Sequence, residues 1–249
     1  MGNWANSHGK GDFLYQGCIF DLDGTLVNTL RSIAYFSNIA LKRCGYPAIP
    51  VEDYKGIVGD GADTQVRRML NHVASGAWTE GDFRRVRVLY GNLYSIDPTH
   101  MLENYPGMPE TIAKLKELGV KAAVFSNKPE SWVQAIIAFL FPSGSFAECR
   151  GQRPGVPIKP SPAGALAIAS DLGLRPRDVL YIGDTNTDMK TGAAAGMDTA
   201  GAVWGFRTRE ELAANGAKYL ADRPEQIAEI AAGNGAAFLR QQVNESYFS

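Results

Sequence analysis

Short apolar runs alternate with helical patterns along the second half of the chain, and this alternation constrains the fold more than any other feature. Three runs after Tyr105 are read as strands, residues 121–125, 179–182 and 199–203. Four helical patterns lie beside them, over residues 109–118, 131–140, 162–172 and 188–195. Strands and helices in alternation predict an α/β fold with a parallel sheet covered on both faces. Ligands on such sheets bind at the carboxyl ends of the strands.

The segment between residues 28 and 100 breaks this rhythm. It has helical patterns over residues 32–44, 63–73 and 82–94 and no convincing strand, which predicts an all-helical unit inserted after the first strand. Turn signals suited to a hinge stand at its edge, Asp97-Pro98 and Tyr105-Pro106-Gly107. The unit is therefore a candidate lid.

These patterns divide the chain into three predicted parts. Residues 12–28 and 101–249 are expected to form a discontinuous α/β core domain, and residues 29–100 a helical cap domain between them. Residues 1–11 have no periodicity and are expected to form a flexible leader.

Composition limits the partners of the chain. A formal net charge of −1 over 249 residues gives no general field that would attract nucleic acid or an anionic membrane, so we expect a small partner and a locally built anion site. Cys18, Cys44 and Cys149 are widely spaced without a C-x-x-C pair, which argues against a disulfide framework or zinc site and for a reducing compartment. No run approaches the ~20 apolar residues that span a bilayer and no signal pattern is present, so we expect a cytoplasmic protein.

Two carboxylates follow the first apolar run of the chain. The sequence I-F-D-L-D-G-T carries Asp21 and Asp23 from a strand-like run into a glycine turn. One such carboxylate can ligate a hard cation and attack phosphorus, while its neighbour transfers the proton. The alternative is a surface loop with two solvated aspartates. On its own, the pair indicates magnesium and phosphate chemistry without deciding between the two.

Two further groups lie where phosphate ligands are expected. Ser126 and Asn127 directly follow the apolar run that ends at Phe125, where a hydroxyl, an amide and the helix beginning near Pro129 can donate hydrogen bonds to phosphate oxygens. Such a pair also serves as a plain helix cap. Lys159 lies in P-I-K-P-S-P, where prolines stiffen the loop and fix the ammonium, which can neutralise a phosphoryl oxygen and restrain a nucleophilic aspartate. The alternative for this residue is an exposed surface lysine.

A last acidic group follows the run over residues 179–182. Asp184 at the strand end and Asp188 at the start of a helix can complete an oxygen-only magnesium shell that includes Asp21, or they can act as helix caps. The four groups together fall at strand ends in an order that supports one site.

With these residues in order, the chain resembles the haloacid dehalogenase superfamily of aspartate-nucleophile phosphotransferases. The superfamily's four motifs appear as Asp21-Leu22-Asp23-Gly24-Thr25, Ser126-Asn127, Lys159 and Gly183-Asp184 through Asp188. Within the superfamily, the chain is most similar to the phosphoglycolate phosphatase-like branch. That likeness lies in Tyr105-Pro106-Gly107, Asn127-Lys128-Pro129, Lys159-Pro160 and Trp204-Gly205-Phe206. The resemblance implies a Rossmann-like core with a helical cap inserted after the first motif.

The resemblance also implies roles for individual residues. Asp21 would form an aspartyl-phosphate, Asp23 would act as acid and then base, and Ser126 and Lys159 would complete the catalytic set. Mg²⁺ would be held by Asp21, by Asp184 and by the main-chain carbonyl of Asp23. The implied substrate-binding residues are Gly24, Thr25, Ser126, Asn127, Lys159 and Arg68, the last near a glycine loop over residues 58–62 that resembles the cap specificity loop. An arginine there can pair with the carboxylate of a small substrate.

The leading hypothesis is a Mg²⁺-dependent phosphatase acting on a small phosphomonoester, phosphoglycolate phosphatase-like. Its alternatives in the same superfamily are a β-phosphoglucomutase-like phosphomutase and a pyrophosphatase or nucleotidase. A receiver-like signalling domain, which also phosphorylates a strand-end aspartate, is the alternative of another class. The expected partner is a small phosphorylated metabolite, with no nucleic acid or membrane, for a monomer or homodimer.

Overall fold

A computed structural model describes residues 15–234, and all statements on the fold concern these residues. The strands within them are β1 (Gly17–Phe20), β2 (Val27–Asn28), β3 (Glu103–Asn104), β4 (Lys121–Pro129), β5 (Glu148–Gln152), β6 (Val179–Gly183), β7 (Asp198–Ala202) and β8 (Tyr219–Ala221). The α-helices within them are α1 (Leu30–Arg43), α2 (Tyr54–Ile57), α3 (Ala62–Ala74), α4 (Glu80–Ile96), α5 (Met108–Glu117), α6 (Glu130–Leu140), α7 (Ala163–Asp171), α8 (Asn186–Ala194), α9 (Arg209–Ala214) and α10 (Glu225–Glu229). The predicted leader over residues 1–11 lies outside the described residues.

Six of the strands form one parallel sheet in the order β5-β4-β1-β6-β7-β8. From β1 the chain proceeds outward through β4 and β5 on one side, and it returns to β6 on the other side of β1. The order of the strands therefore reverses next to β1, and such a switch point opens a crevice at the carboxyl ends of the neighbouring strands. The predicted α/β, Rossmann-like core is confirmed.

The sheet is buried on both faces. Side chains alternate along β1, so that Cys18 and Phe20 pack into one apolar layer and Ile19 into the other. Tyr181 of β6 lies in the same layer as Ile19. The central strand is consequently apolar without interruption, and its first polar side chain appears where the strand ends.

The segment between β2 and β3 is helical, as predicted. Helices α1, α3 and α4 pack around a second apolar cluster, which includes Phe36, Leu70 and Tyr90 and also takes in Trp132 of α6. The chain leaves and rejoins the core through β2 and β3, which pair antiparallel with Val27 opposite Asn104. The predicted domain boundaries at residues 28/29 and 100/101 stay a prediction. No helix among the described residues is both long and apolar enough to cross a membrane.

Strand β4 differs from its prediction in a way that matters for the site. The expected strand ends at Phe125, but β4 continues to Pro129 and α6 begins at Glu130. The proline fixes an extended backbone, with φ −48° and ψ 134°, and it disfavours the helical conformation in the residue before it. Ser126 and Asn127 therefore lie in the irregular carboxyl end of β4, where the pairing with β5 shifts register between Phe125 and Pro129, and not directly at the first turn of the helix. The helix predicted to begin near Pro129 is confirmed, since α6 begins at Glu130.

Gly192 on α8 allows this helix to pack directly on the sheet. An added Cβ would lie 2.5 Å from Thr199 Cγ2 and 2.9 Å from Tyr181 Cβ. We expect Gly192→Ala to lower the free energy of unfolding by about 1–3 kcal/mol, because neither Thr199 nor Tyr181 can move away from the added Cβ without repacking the core. Thermal melts measure the effect. Gly56→Ala is the matched control, since no atom of the described residues lies within 4 Å of its added Cβ. Equal melting temperatures for the two variants would contradict this packing argument.

Candidate active site

Asp21 occupies the end of the central strand. Its backbone N–H donates to Ile182 O of the adjacent β6 at 2.9 Å, and its Oδ1 accepts the N–H of Leu22 at 2.7 Å. Only 4% of the residue is exposed. The strand end predicted from the apolar run thus places a carboxylate in the crevice at the switch point.

Lys159 is buried beside this carboxylate. Its Nζ lies 2.8 Å from Asp21 Oδ1 and 2.7 Å from Asp188 Oδ1, and the residue is 2% exposed. Burial would lower the pKa of the ammonium, but Asp188 and Asp21 outweigh it and hold the pKa well above its ordinary value. Lys159 is therefore a fixed positive charge between two acids, and the alternative of an exposed surface lysine is excluded.

Asn127 holds the loop that carries this lysine. Its Oδ1 accepts the Lys159 N–H at 2.8 Å, and its Nδ2 donates to Lys159 O at 3.2 Å and to Gly59 O at 3.3 Å. One amide therefore joins β4, the lysine loop and the helical segment. Ser126 beside it is 2% exposed, and its Oγ accepts the Lys128 N–H at 3.2 Å.

Asp184 lies at the end of β6, held by two donors. Thr25 Oγ1 donates to its Oδ1 at 2.7 Å, and the Phe206 N–H donates to its Oδ2 at 2.9 Å. Gly24 approaches so closely that an added Cβ would lie 2.3 Å from Asp184 Oδ2. Its φ of +85° also disfavours any other residue. Gly24 and Thr25 thus position Asp184 in this structure.

Three buried carboxylates converge at this point. Asp21, Asp184 and Asp188 each offer an oxygen, and these oxygens lie within 4.8 Å of one another. Burial raises the pKa of Asp21 to about 7 and that of Asp184 well above its ordinary value, and Asp188 adds to both shifts. Lys159 offsets only part of the negative charge. A buried, oxygen-only donor set with excess negative charge fits a hard divalent cation such as Mg²⁺.

Asp188 enters this cluster in addition to its role as a cap. It forms a capping box with Thr185, whose Oγ1 donates to Asp188 Oδ2 at 2.6 Å. The two alternatives weighed for Asp188 from the sequence, metal shell and helix cap, are therefore compatible in the structure. The side chain of Asp23 is not part of the cluster.

Asp23 is paired instead with Lys128, which belongs to the same predicted group as Ser126 and Asn127 but was given no role of its own. Lys128 Nζ lies 2.9 Å and 3.1 Å from the two carboxylate oxygens of Asp23. The side chains are 4% and 13% exposed, respectively, and the ammonium lies 4.7 Å from the centroid of the Tyr94 ring. The available signal was the position of Lys128 directly after Ser126 and Asn127, in a strand that turned out to adjoin β1.

A cavity separates these groups from the helical segment. Its volume is about 410 Å³, including the part open to solvent. The carboxyl edge of the sheet contributes Asp21, Asp23 and Lys128, and the helices contribute Gln65 and Tyr90 among others. The wall opposite the strand-end carboxylates is consequently built by the insertion.

Arg68 does not reach the wall of this cavity. Its Nη2 lies 2.5 Å from Asp60 Oδ2, and its Nη1 donates to Ile57 O at 3.2 Å. Asp60 also accepts a hydrogen bond from Thr187 Oγ1 of α8. The guanidinium thus braces the glycine loop that precedes α3, and the expected position of Arg68 as a substrate ligand is not what the structure shows.

Asp60 should make the stability of this loop pH-dependent. Burial raises its pKa, but hydrogen bonds from Thr187 and Arg68 outweigh burial, so the pKa is lower when the protein is folded. The stabilisation is therefore complete above the ordinary carboxyl pKa and is lost as pH falls through the folded value. We expect the melting-temperature difference between wild type and Asp60→Asn to shrink between about pH 7 and about pH 3. Asp63→Asn, at an exposed position nearby, is the control, and a difference that grows in acid would contradict the assignment.

The chain is similar to hydrolases of one family in its sequence and in its fold. A model of haloacid dehalogenase-like hydrolases matches residues 18–202. The phosphoglycolate phosphatase of Haemophilus influenzae is 31% identical over 214 residues, which cover 85% of this chain and 96% of that enzyme. Phosphoglycolate phosphatase 1 of Pseudomonas aeruginosa is 29% identical over 220 residues, covering 85% and 80%. The crystal structure of a predicted phosphoglycolate phosphatase from Haemophilus somnus 129pt has a TM-score of 0.81 at 30% identity, covering 87% of this chain and 98% of the other.

Proposed function

The chain belongs to the haloacid dehalogenase-like hydrolases as a phosphoric monoester hydrolase of the phosphoglycolate phosphatase-like branch, and we propose that it is a Mg²⁺-dependent phosphatase of small phosphomonoesters. The observation that carries the proposal is the arrangement around Asp21. This buried strand-end carboxylate is held by Lys159 and lies within reach of two further carboxylates that fit a divalent cation.

Asp21 is the nucleophile in this proposal. Leu22 N–H and Lys159 Nζ both bind its Oδ1, so we assign Oδ2 to the attack on phosphorus. The bond from Oδ2 to phosphorus forms as the bond to the leaving oxygen breaks, and Asp23 donates a proton to that oxygen. Water then attacks the aspartyl-phosphate while Asp23 takes its proton, which releases inorganic phosphate and restores Asp21. Asp23 serves as acid and then base.

The remaining groups stabilise charge and hold positions. Mg²⁺ held by Asp21, Asp184 and Asp188, with the main-chain carbonyl of Asp23 as a further proposed ligand, would offset the repulsion between an anionic nucleophile and an anionic substrate. Lys159 fixes the orientation of Asp21, and Asn127 fixes the loop that carries Lys159. Ser126 is proposed as a donor to the phosphoryl oxygens.

The cavity supports a small substrate. Its volume of about 410 Å³ is an upper bound, because it includes space open to solvent. The named relatives are phosphoglycolate phosphatases, and we propose 2-phosphoglycolate, a compact phosphomonoester, as the substrate. Closure of residues 29–100 as a cap domain would exclude water during turnover.

A metabolite panel tests the proposal. It contains 2-phosphoglycolate, pyrophosphate, p-nitrophenyl phosphate, nucleoside monophosphates and hexose phosphates, each assayed with Mg²⁺ and with a chelator. We expect multiple-turnover release of phosphate that requires Mg²⁺ and is fastest on 2-phosphoglycolate. Dependence on a bisphosphorylated sugar activator would indicate a phosphomutase. A single turnover with a long-lived phosphoprotein would indicate a receiver-like domain and would overturn the proposal.

A further inference from the structure

Lys128 is placed where a second group of the substrate would lie. It lines the cavity together with Asp21 and Asp23. Among the lining residues that the structure describes, it is the only one with a positively charged side chain. Its one acidic partner within residues 15–234 is Asp23, and the uncharged side chains of Tyr94 and Tyr90 lie nearby. The ammonium is therefore nearly buried with a single counter-charge.

Other cations near the cavity are already engaged. Lys159 lies between Asp21 and Asp188, and Arg68 is bound to Asp60 and to a carbonyl. Arg207 donates to the carbonyl oxygens of Val58 and Lys55. Each of these three groups is engaged within the protein, and none of them is among the residues that line the cavity.

We propose that Lys128 is the specificity-determining residue for this enzyme, binding a second anionic group of the substrate and releasing Asp23 toward the leaving oxygen. The inference rests on the proposed phosphatase function. A carboxylate arriving at Lys128 replaces the Asp23 carboxylate as counter-charge, so the ammonium stays paired throughout. The released Asp23 takes up a proton from solvent and then donates that proton to the leaving oxygen. A substrate without a second anionic group leaves the Lys128–Asp23 ion pair intact. Asp23 then stays bound to Lys128 and is not available to the leaving oxygen.

The geometry points to a class of substrate. Asp21, Asp23 and Lys128 line one small cavity, so the phosphoryl group at Asp21 and the second anion at Lys128 must belong to a compact molecule. Phosphorylated 2-hydroxy acids, which carry a carboxylate one carbon from the phosphate ester, meet this requirement. Phosphomonoesters that are longer, or that lack a second anionic group, gain no binding energy from Lys128.

The test compares two substrates on the whole protein with Mg²⁺. 2-Phosphoglycolate carries the carboxylate, and ethyl phosphate has a methyl group in its place. We expect wild type to prefer 2-phosphoglycolate in kcat/KM, and Lys128→Met to reduce that preference by on the order of 10–100-fold, the range of a charge-assisted hydrogen bond. Lys114→Met, on the exposed face of α5, is the matched control and should keep the preference.

Each other outcome has a defined meaning. An equal loss on both substrates would overturn the inference, because Lys128 would then only position Asp23. The inference would also be overturned if Arg68→Gln lost the preference for 2-phosphoglycolate while Lys128→Met kept it. If Lys128→Met fails to fold, Lys128→Gln, which can still donate a hydrogen bond to Asp23, replaces it. Equal wild-type kcat/KM for 2-phosphoglycolate and its neutral amide would overturn the inference without any variant. Wild type that hydrolyses neither compound would instead refute the proposed function.

Discussion

Asp21→Asn is expected to lower kcat on 2-phosphoglycolate by at least about 10⁴-fold, the loss typical of removing a nucleophile. The amide retains an oxygen that can accept the Leu22 N–H and the Lys159 ammonium, so the local structure should be kept. It is too weak a nucleophile to attack phosphorus. Steady-state phosphate release measures the change, and the melting temperature checks the fold.

The control for this variant is the same substitution elsewhere. Asp171 lies at the end of α7, and its side chain is 50% exposed. Asp171→Asn should retain turnover within a factor of about two, since surface substitutions usually have small effects. Near-normal turnover in Asp21→Asn would remove Asp21 as the nucleophile.

Removal of divalent cations is expected to lower turnover by more than about 10³-fold, reversibly on addition of Mg²⁺. The three carboxylates are buried, and Lys159, the one ammonium within residues 15–234 that contacts them, cannot balance their charge. Chelation therefore leaves a phosphate monoester facing an anionic site. Phosphate release with a chelator, and then with increasing Mg²⁺, measures the effect.

Asp184→Asn should weaken the binding of Mg²⁺ while the nucleophile Asp21 stays in place. Calorimetric titration is expected to show Mg²⁺ binding to wild type and at least about 10-fold weaker binding to this variant, since one anionic ligand is lost. Asp222→Asn, at an exposed position, should bind Mg²⁺ as wild type does. Full activity of chelated wild type, or unchanged Mg²⁺ binding in Asp184→Asn, would contradict the account.

The strand ends were predictable because they depend on local sequence. A short apolar run bounded by turn signals is typical of a buried strand, and a polar residue directly after it is then expected at the edge of the sheet, where Asp21 and Asp184 lie. Strand β5 was not predicted, because its sequence E-C-R-G-Q has no apolar pattern and lies at the edge of the sheet. The three-residue β8 is too short to produce one.

Contacts between distant segments were not predictable. Lys128 contacts Asp23 because β4 pairs with β1. Neither sequence motif contains information on the order of the strands in the sheet. Arg68 was expected to face the substrate because its loop resembles a specificity loop. Asp60, eight residues earlier, binds its guanidinium in the folded protein. The sequence identifies the charged residues, but which of them form ion pairs depends on the tertiary structure.

The most direct test of the central claim is to identify the phosphorylated residue. Wild type is mixed with 2-phosphoglycolate and Mg²⁺, quenched in acid within the first turnover, digested with pepsin in acid, where an acyl phosphate survives, and analysed by mass spectrometry. We expect one phosphoryl group on the peptide that contains both Asp21 and Asp23, with fragmentation locating it on Asp21 and not on Asp23. Phosphoryl transfer to another residue, or turnover with no labelled protein at any quench time, would contradict it.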